Sequence, residues 1–223
     1  MKTALVALLV VASVHAEEFK YDPNTPEARA AQAKYAAFEQ EAAGLSTFDL
    51  FKELQRLDAS REAKTALQKP EDALKNMWSF GVSDDDKKSI SFSTALGKRS
   101  DTGEVAASFY NSVYQWQYCN MWMRQNTSQA DKLAIECWQK VMAGFKRASE
   151  ASIGDASSNI ARMYANGFGV TTSKFVAAEW YVRAADQYNA RKDRDEALTA
   201  VEAALNLVPD HPAALRLRKA MVK

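Results

Sequence analysis

The stretch Ala156-Ser157-Ser158-Asn159-Ile160-Ala161-Arg162-Met163-Tyr164-Ala165-Asn166-Gly167-Phe168-Gly169-Val170, followed by Ala177-Ala178-Glu179-Trp180-Tyr181-Val182-Arg183-Ala184-Ala185, decides the fold. Ala156, Ile160, Met163 and Tyr164 recur at three- and four-residue steps, which marks one face of a helix. Gly167 and Gly169 end that pattern, because a glycine just past a helix can take positive φ without a Cβ clash. Val170 gives the turn an apolar plug. Ala177, Trp180, Tyr181 and Ala184 then restart the helical period. Small alanines on both helices let the backbones approach, and the aromatic rings fill the space between them.

Ala156, Tyr164, Gly167, Gly169, Val170, Ala177, Trp180, Tyr181, Ala184 and Ala185 together resemble the Sel-1-like repeat, a helix-turn-helix unit related to the tetratricopeptide repeat. Ser173, Val176 and Tyr188 stand where that repeat usually carries aspartate, lysine and glycine. Tyr181, Ala184, Ala185 and Tyr188 also resemble the first helix of a tetratricopeptide unit, with Ala197, Val201, Ala204 and Pro209 fitting its second helix and closing proline. One helix, at about 175–188, thus serves both repeat types. The resemblance spans residues 154 to 212, on the period expected of such arrays. It implies an all-α fold of stacked antiparallel helix pairs, an α-α superhelix. It also implies an adaptor or scaffold role on a protein or peptide partner, without catalysis.

Working outward, residues 213–222 read as a terminal helix. Leu215 and Leu217 leave open whether it caps the stack or docks a second copy. At the other end, Met1-Lys2-Thr3, an apolar run over 4–14 and Val14-His15-Ala16 read as a secretory signal peptide over 1–16. The run is too short to span a bilayer, and no later segment is apolar enough to do so. A periplasmic location is expected, with secretion the alternative. Without Lys2, basic and acidic residues are equal in number, and His211 is the one remaining histidine. A chain without net charge is not drawn to nucleic acid as a whole.

Residues 17–103 form a divergent helical region. Thr25 and Pro26 open a helix over 26–43 with Ala31, Tyr35, Phe38 and Ala42 on one face. A second helix begins at Thr47, with Leu50, Phe51, Leu54 and Leu57 as its apolar stripe; whether it continues past Ser60 is open. Another starts at Pro70, with Ala73, Leu74, Met77 and Trp78 inward. Residues 79–103 read as the least helical part: Ser89-Ile90-Ser91-Phe92-Ser93 alternates like a short strand. The alternative is a short helix capped by Ser83 or Asp84.

Residues 104–150 read as an aromatic helical hairpin, and 151–223 as the repeat unit. In the hairpin, Tyr110, Tyr114, Tyr118 and Trp122 lie at four-residue steps. Packing in the core is one reading of that stripe. The other is a partner-binding surface, since tyrosine and tryptophan are favoured interface anchors. Leu133, Cys137, Val141 and Phe145 line the second arm. Cys119 and Cys137, the only cysteines, sit on opposite arms. An exported chain meets an oxidising compartment, so a disulfide is expected, against the alternative of two buried thiols. Asn126-Thr127-Ser128 is a glycosylation sequon, meaningful only in a eukaryotic secretory host.

Nothing in the sequence points to catalysis. There is no C-x-x-C pair, no H-E-x-x-H, no S-x-x-K, no phosphate loop and no nucleophile elbow. His211, between Asp210 and Pro212, reads as an exposed turn residue, and alone it cannot build a metal site. Asp84-Asp85-Asp86 lacks the alternating ligands of a calcium loop and reads as a solvated acidic turn. No enzyme activity, cofactor or metal is expected. The alternatives are an envelope hydrolase with a helical-repeat appendage, or a secreted effector or inhibitor.

Overall fold

In a computed structural model, the described residues are 25–67, 84–123 and 128–221. The signal peptide, the helix expected from Pro70 and the sequon at Asn126 lie outside them. Nine helices and no strand occur among the described residues. They are α1 (Pro26–Gly44), α2 (Thr47–Leu67), α3 (Asp84–Asp101), α4 (Val105–Met123), α5 (Ser128–Glu150), α6 (Gly154–Asn166), α7 (Lys174–Ala190), α8 (Arg194–Leu207) and α9 (Pro212–Met221). The chain divides into two compact units, one up to Lys98 and one from Arg99.

In the first unit, Ser46 starts α2 with a reciprocal cap. The Asp49 N–H donates to Ser46 Oγ at 3.1 Å, and the Ser46 hydroxyl donates to Asp49 Oδ2 at 2.6 Å. This satisfies a donor that a helix start otherwise leaves open. Leu50, Phe51, Leu54 and Leu57 are all buried, as their spacing predicts. Ion pairs join the helices: Lys34 to Asp84, and Lys88 to both Glu41 and Glu53. The hydrogen bond from Arg56, with help from Lys88, holds the Glu53 carboxyl below the usual range.

Of the two readings of the segment around Phe92, a short strand or a helix capped by Ser83 or Asp84, the helical one holds, from Asp84 onward. α3 runs for 18 residues. Asp84, Asp85 and Asp86 occupy its first turn, where negative charge complements the exposed N–H groups of a helix start. Its buried positions are Ser89, Ser91, Phe92, Leu96 and Ser100, and all but Ser91 fall at helical spacing. Three of those five are serines, so the sequence showed the local alternation around Phe92 instead of the longer helical period.

The second unit is a succession of neighbours: α4 on α5, α5 on α6, α6 on α7, α7 on α8 and α8 on α9. α4 and α5 approach closely at Gly144. A Cβ there would lie 2.1 Å from Ser112 Oγ and 2.8 Å from the Ser108 carbonyl oxygen. Both serines spend their hydroxyls on carbonyls four residues back, those of Glu104 and Ser108, so neither hydroxyl is stranded at the crossing. Nearer the hairpin tip, Cys119 and Cys137 form a disulfide across Cα atoms 5.5 Å apart.

Two apolar clusters follow. One, rich in aromatic rings, gathers Cys119, Trp138, Val141, Phe145, Ile160 and Met163 from α4, α5 and α6. The other is rich in alanine and joins α7, α8 and α9 through Ala184, Ala185, Ala197, Val201, Ala204 and Ala214. α7 serves both, with Trp180 against the first and Tyr181 against the second. α9 buries Ala214 and Met221 and leaves Arg216, Arg218 and Lys219 in solvent. Its outer face is therefore basic, with Leu215 a large apolar residue exposed beside it.

Candidate functional site

The tyrosines of α4 do not lie on one free surface. Tyr114 is 5% exposed, while Tyr110 and Tyr118 are half-buried. The Tyr114 and Tyr118 hydroxyls are 2.8 Å apart, and their rings are tilted at a centroid distance of 5.2 Å. Trp122 belongs to α4, but its side chain lies outside the described residues. At Tyr114 the packing role dominates; Tyr110 and Tyr118 keep partly exposed edges.

The opposite side of α4 builds an aromatic joint with the glycine turn. Trp116 meets Trp138 edge-on at 5.0 Å, Trp138 stacks on Phe168 at 5.1 Å, and Phe168 meets Trp116 edge-on at 5.3 Å. Arg162 lies over the Trp116 ring. Gly167 and Gly169 both have positive φ, 76° and 67°. The amides of Gly167 and Phe168 return to the Met163 carbonyl, so the turn closes α6 and delivers Phe168 between the tryptophans. The Trp138 N–H donates to Met123 Sδ at 3.1 Å.

A polar clasp ties the end of α5 to α6 and α7. The Ser149 carbonyl, in the last turn of α5, accepts the Ser152 N–H at 3.0 Å and Gln187 Nε2 at 2.7 Å. Ser157 Oγ donates to Gln187 Oε1, so Ser149 Oγ must donate to Ser157 Oγ; both contacts are 2.6 Å. Beside them, Tyr188 donates to Asp155 Oδ1 at 2.7 Å. Burial, and then this bond, hold the Tyr188 hydroxyl protonated well above the usual tyrosine range. Its ring covers Gly154, where a Cβ would lie 2.7 Å from it. The Tyr188 ring is thus accommodated by a glycine across the interface. Ser173 caps α7 by accepting the Val176 N–H at 3.3 Å.

His211, expected to be exposed, is 1% exposed. Its Nδ1 faces the Ala214 N–H at 3.4 Å, and an amide can only donate, so Nδ1 is the bare nitrogen. Nε2 therefore carries the proton and donates to Glu179 Oε1 at 2.8 Å. The ring is drawn inward because it caps α9 and bonds α7 at once. The sequence signal was its place directly before Pro212, the position of a helix cap, but histidine is not among the usual capping residues. The Phe175 ring lies 5.6 Å from the imidazole and is itself 59% exposed. Leu215, one turn beyond His211 on α9, is 36% exposed.

These links make His211 a measurable joint. His211→Ala is expected to lower stability by about 2 kcal/mol through the lost cap and the space left behind. His211→Asn, whose side-chain oxygen can accept the Ala214 N–H, should recover about 1 kcal/mol of that. Denaturant melts of the two variants check this.

Elsewhere, Asn189, Lys192, Arg194, Leu217, Ala220 and Met221 line an open cleft of about 320 Å³. Among the described residues no group of three or more His, Cys, Asp or Glu gathers where it could hold a metal ion. No described helix is long and apolar enough to cross a membrane. No family model, no curated protein and no solved structure matches this chain.

Proposed function

We propose that this chain is an exported helical adaptor or scaffold, which binds a protein or peptide partner in the cell envelope and performs no chemistry. The observation that carries this reading is exposed apolar side chains near His211: Phe175, whose ring lies 5.6 Å from the imidazole, and Leu215, one turn beyond His211 on α9, both face solvent. Large apolar side chains held on a rigid support are what interfaces use as anchors. The succession of neighbouring helices supports a stacked array. The left-handed glycines at 167 and 169 and the buried Ala156, Ala177, Ala184, Ala185, Ala197 and Ala204 support the Sel-1-like and tetratricopeptide-like reading. The disulfide fits an oxidising compartment, as periplasmic export would supply.

The test is in-cell crosslinking of the chain tagged after Lys223, with Phe175→Ala and Trp122→Ala as companions. Phe175 is exposed, so its loss should change stability by less than about 1 kcal/mol. The reading expects one or two captured proteins, each binding the purified chain directly and losing at least about ten-fold in affinity to one of the two variants. A capture profile no different from that of an unrelated exported protein would refute it.

A further inference from the structure

Trp138 is 1% exposed, and a buried indole N–H needs an acceptor. The partner it finds is the Met123 thioether, a weak acceptor, at 3.1 Å. Met123 is itself 47% exposed, while Met142, Met163 and Met221 are buried. Solvent therefore reaches the side chain whose sulfur bonds directly into the aromatic joint. Trp138 in turn stacks on Phe168, meets Trp116 edge-on, and supports Gly169, where a Cβ would come within 2.2 Å of it. A chemical change on one exposed residue is thus one hydrogen bond from the contact between α5 and the glycine turn.

We propose that Met123 is an oxidation site for peroxide-class oxidants, and that its sulfoxide is read by the aromatic joint through Trp138. The sulfur lone pair attacks one oxygen of hydrogen peroxide, the O–O bond breaks, and the other oxygen leaves as hydroxide, which takes the proton of the sulfur-bound hydroxyl to become water; an alkyl hydroperoxide would release an alcohol in the same way. Sulfur loses two electrons and the peroxide gains them, leaving a sulfur–oxygen bond. The new oxygen is a stronger acceptor than the thioether sulfur and takes over the Trp138 N–H. Because that oxygen stands outside the sulfur, Met123 or the indole must shift to keep the bond. A thiol-dependent sulfoxide reductase reverses the step.

The experiment treats the folded, disulfide-intact chain with limiting hydrogen peroxide. Fragment-ion mapping assigns the added oxygen, separating Met123 from Met121, while indole emission is followed in parallel. Met123 is expected to oxidise at least about ten-fold faster than Met142, Met163 or Met221. The emission should change with the same time course, return after reductase treatment, and stay constant in Met123→Leu. Oxidation of Met123 no faster than that of the buried methionines would overturn the proposal. So would emission that ignores Met123 oxidation, or that changes equally in Met123→Leu.

Discussion

Gly169→Ala is expected to lower stability by about 3 kcal/mol, by adding overpacking to backbone strain. Gly169 sits at φ 67°, which costs any L side chain. The added methyl would also fall 2.2 Å from Trp138 Cβ and 2.9 Å from its Cγ. These are the root of a side chain, so no rotamer change moves them away. Trp138 cannot retreat, because Phe168 stacks on its ring and Trp116 stands against it. Gly167→Ala provides the contrast. Its φ is 76°, but its methyl would meet the Oγ1 of the exposed Thr172, a flexible end that can turn aside. About 1 kcal/mol is expected there, from strain alone. Chemical denaturation of the two variants decides the matter: equal losses would mean that the close approach to Trp138 contributes nothing.

Reducing the Cys119–Cys137 bond is expected to lower stability by about 3 kcal/mol, since the bond closes a loop with a sequence separation of 18. The loss should concentrate in α4 and α5. Beyond the disulfide, their pairing rests on the contact at Gly144 and on rings such as Phe109 with Phe145 and Trp116 with Trp138. Hydrogen exchange with and without reductant reads this directly: amides of α4 and the first half of α5 should lose protection ahead of those in α8. Cys119→Ser/Cys137→Ser should melt as the reduced chain does. Unchanged protection after reduction, or free thiols in the denatured, unreduced protein, would contradict the expectation.

Much of the helical architecture was legible in the sequence wherever apolar residues themselves occupy the inward positions. The Leu50–Leu57 stripe and the Ile160–Met163 face lie buried as their periods require. The departures share a cause. In α3, Ser89 and Ser100 hold inward positions, and a period counted on apolar residues passes over them. At His211, a polar residue is buried because two partners, the Glu179 carboxylate and the Ala214 amide, arrive from different places in the chain. The tyrosine stripe was visible as a pattern, but its division into a buried Tyr114 and half-buried Tyr110 and Tyr118 depends on neighbours that the spacing does not name.

By itself the sequence determined the helices around the glycine turn, the turn's need for left-handed backbone at 167 and 169, and the pair of cysteines on opposing arms. These follow from local sterics and from side-chain spacing, both written along the chain. Only the tertiary structure decided which apolar residues stay in solvent, that His211 lies inside, and that Met123 supplies the acceptor for Trp138. Each of these depends on groups far apart in sequence, or on what the rest of the fold leaves uncovered. The Tyr188–Gly154 contact is of the same kind: a large ring fits because a residue across the interface has no side chain.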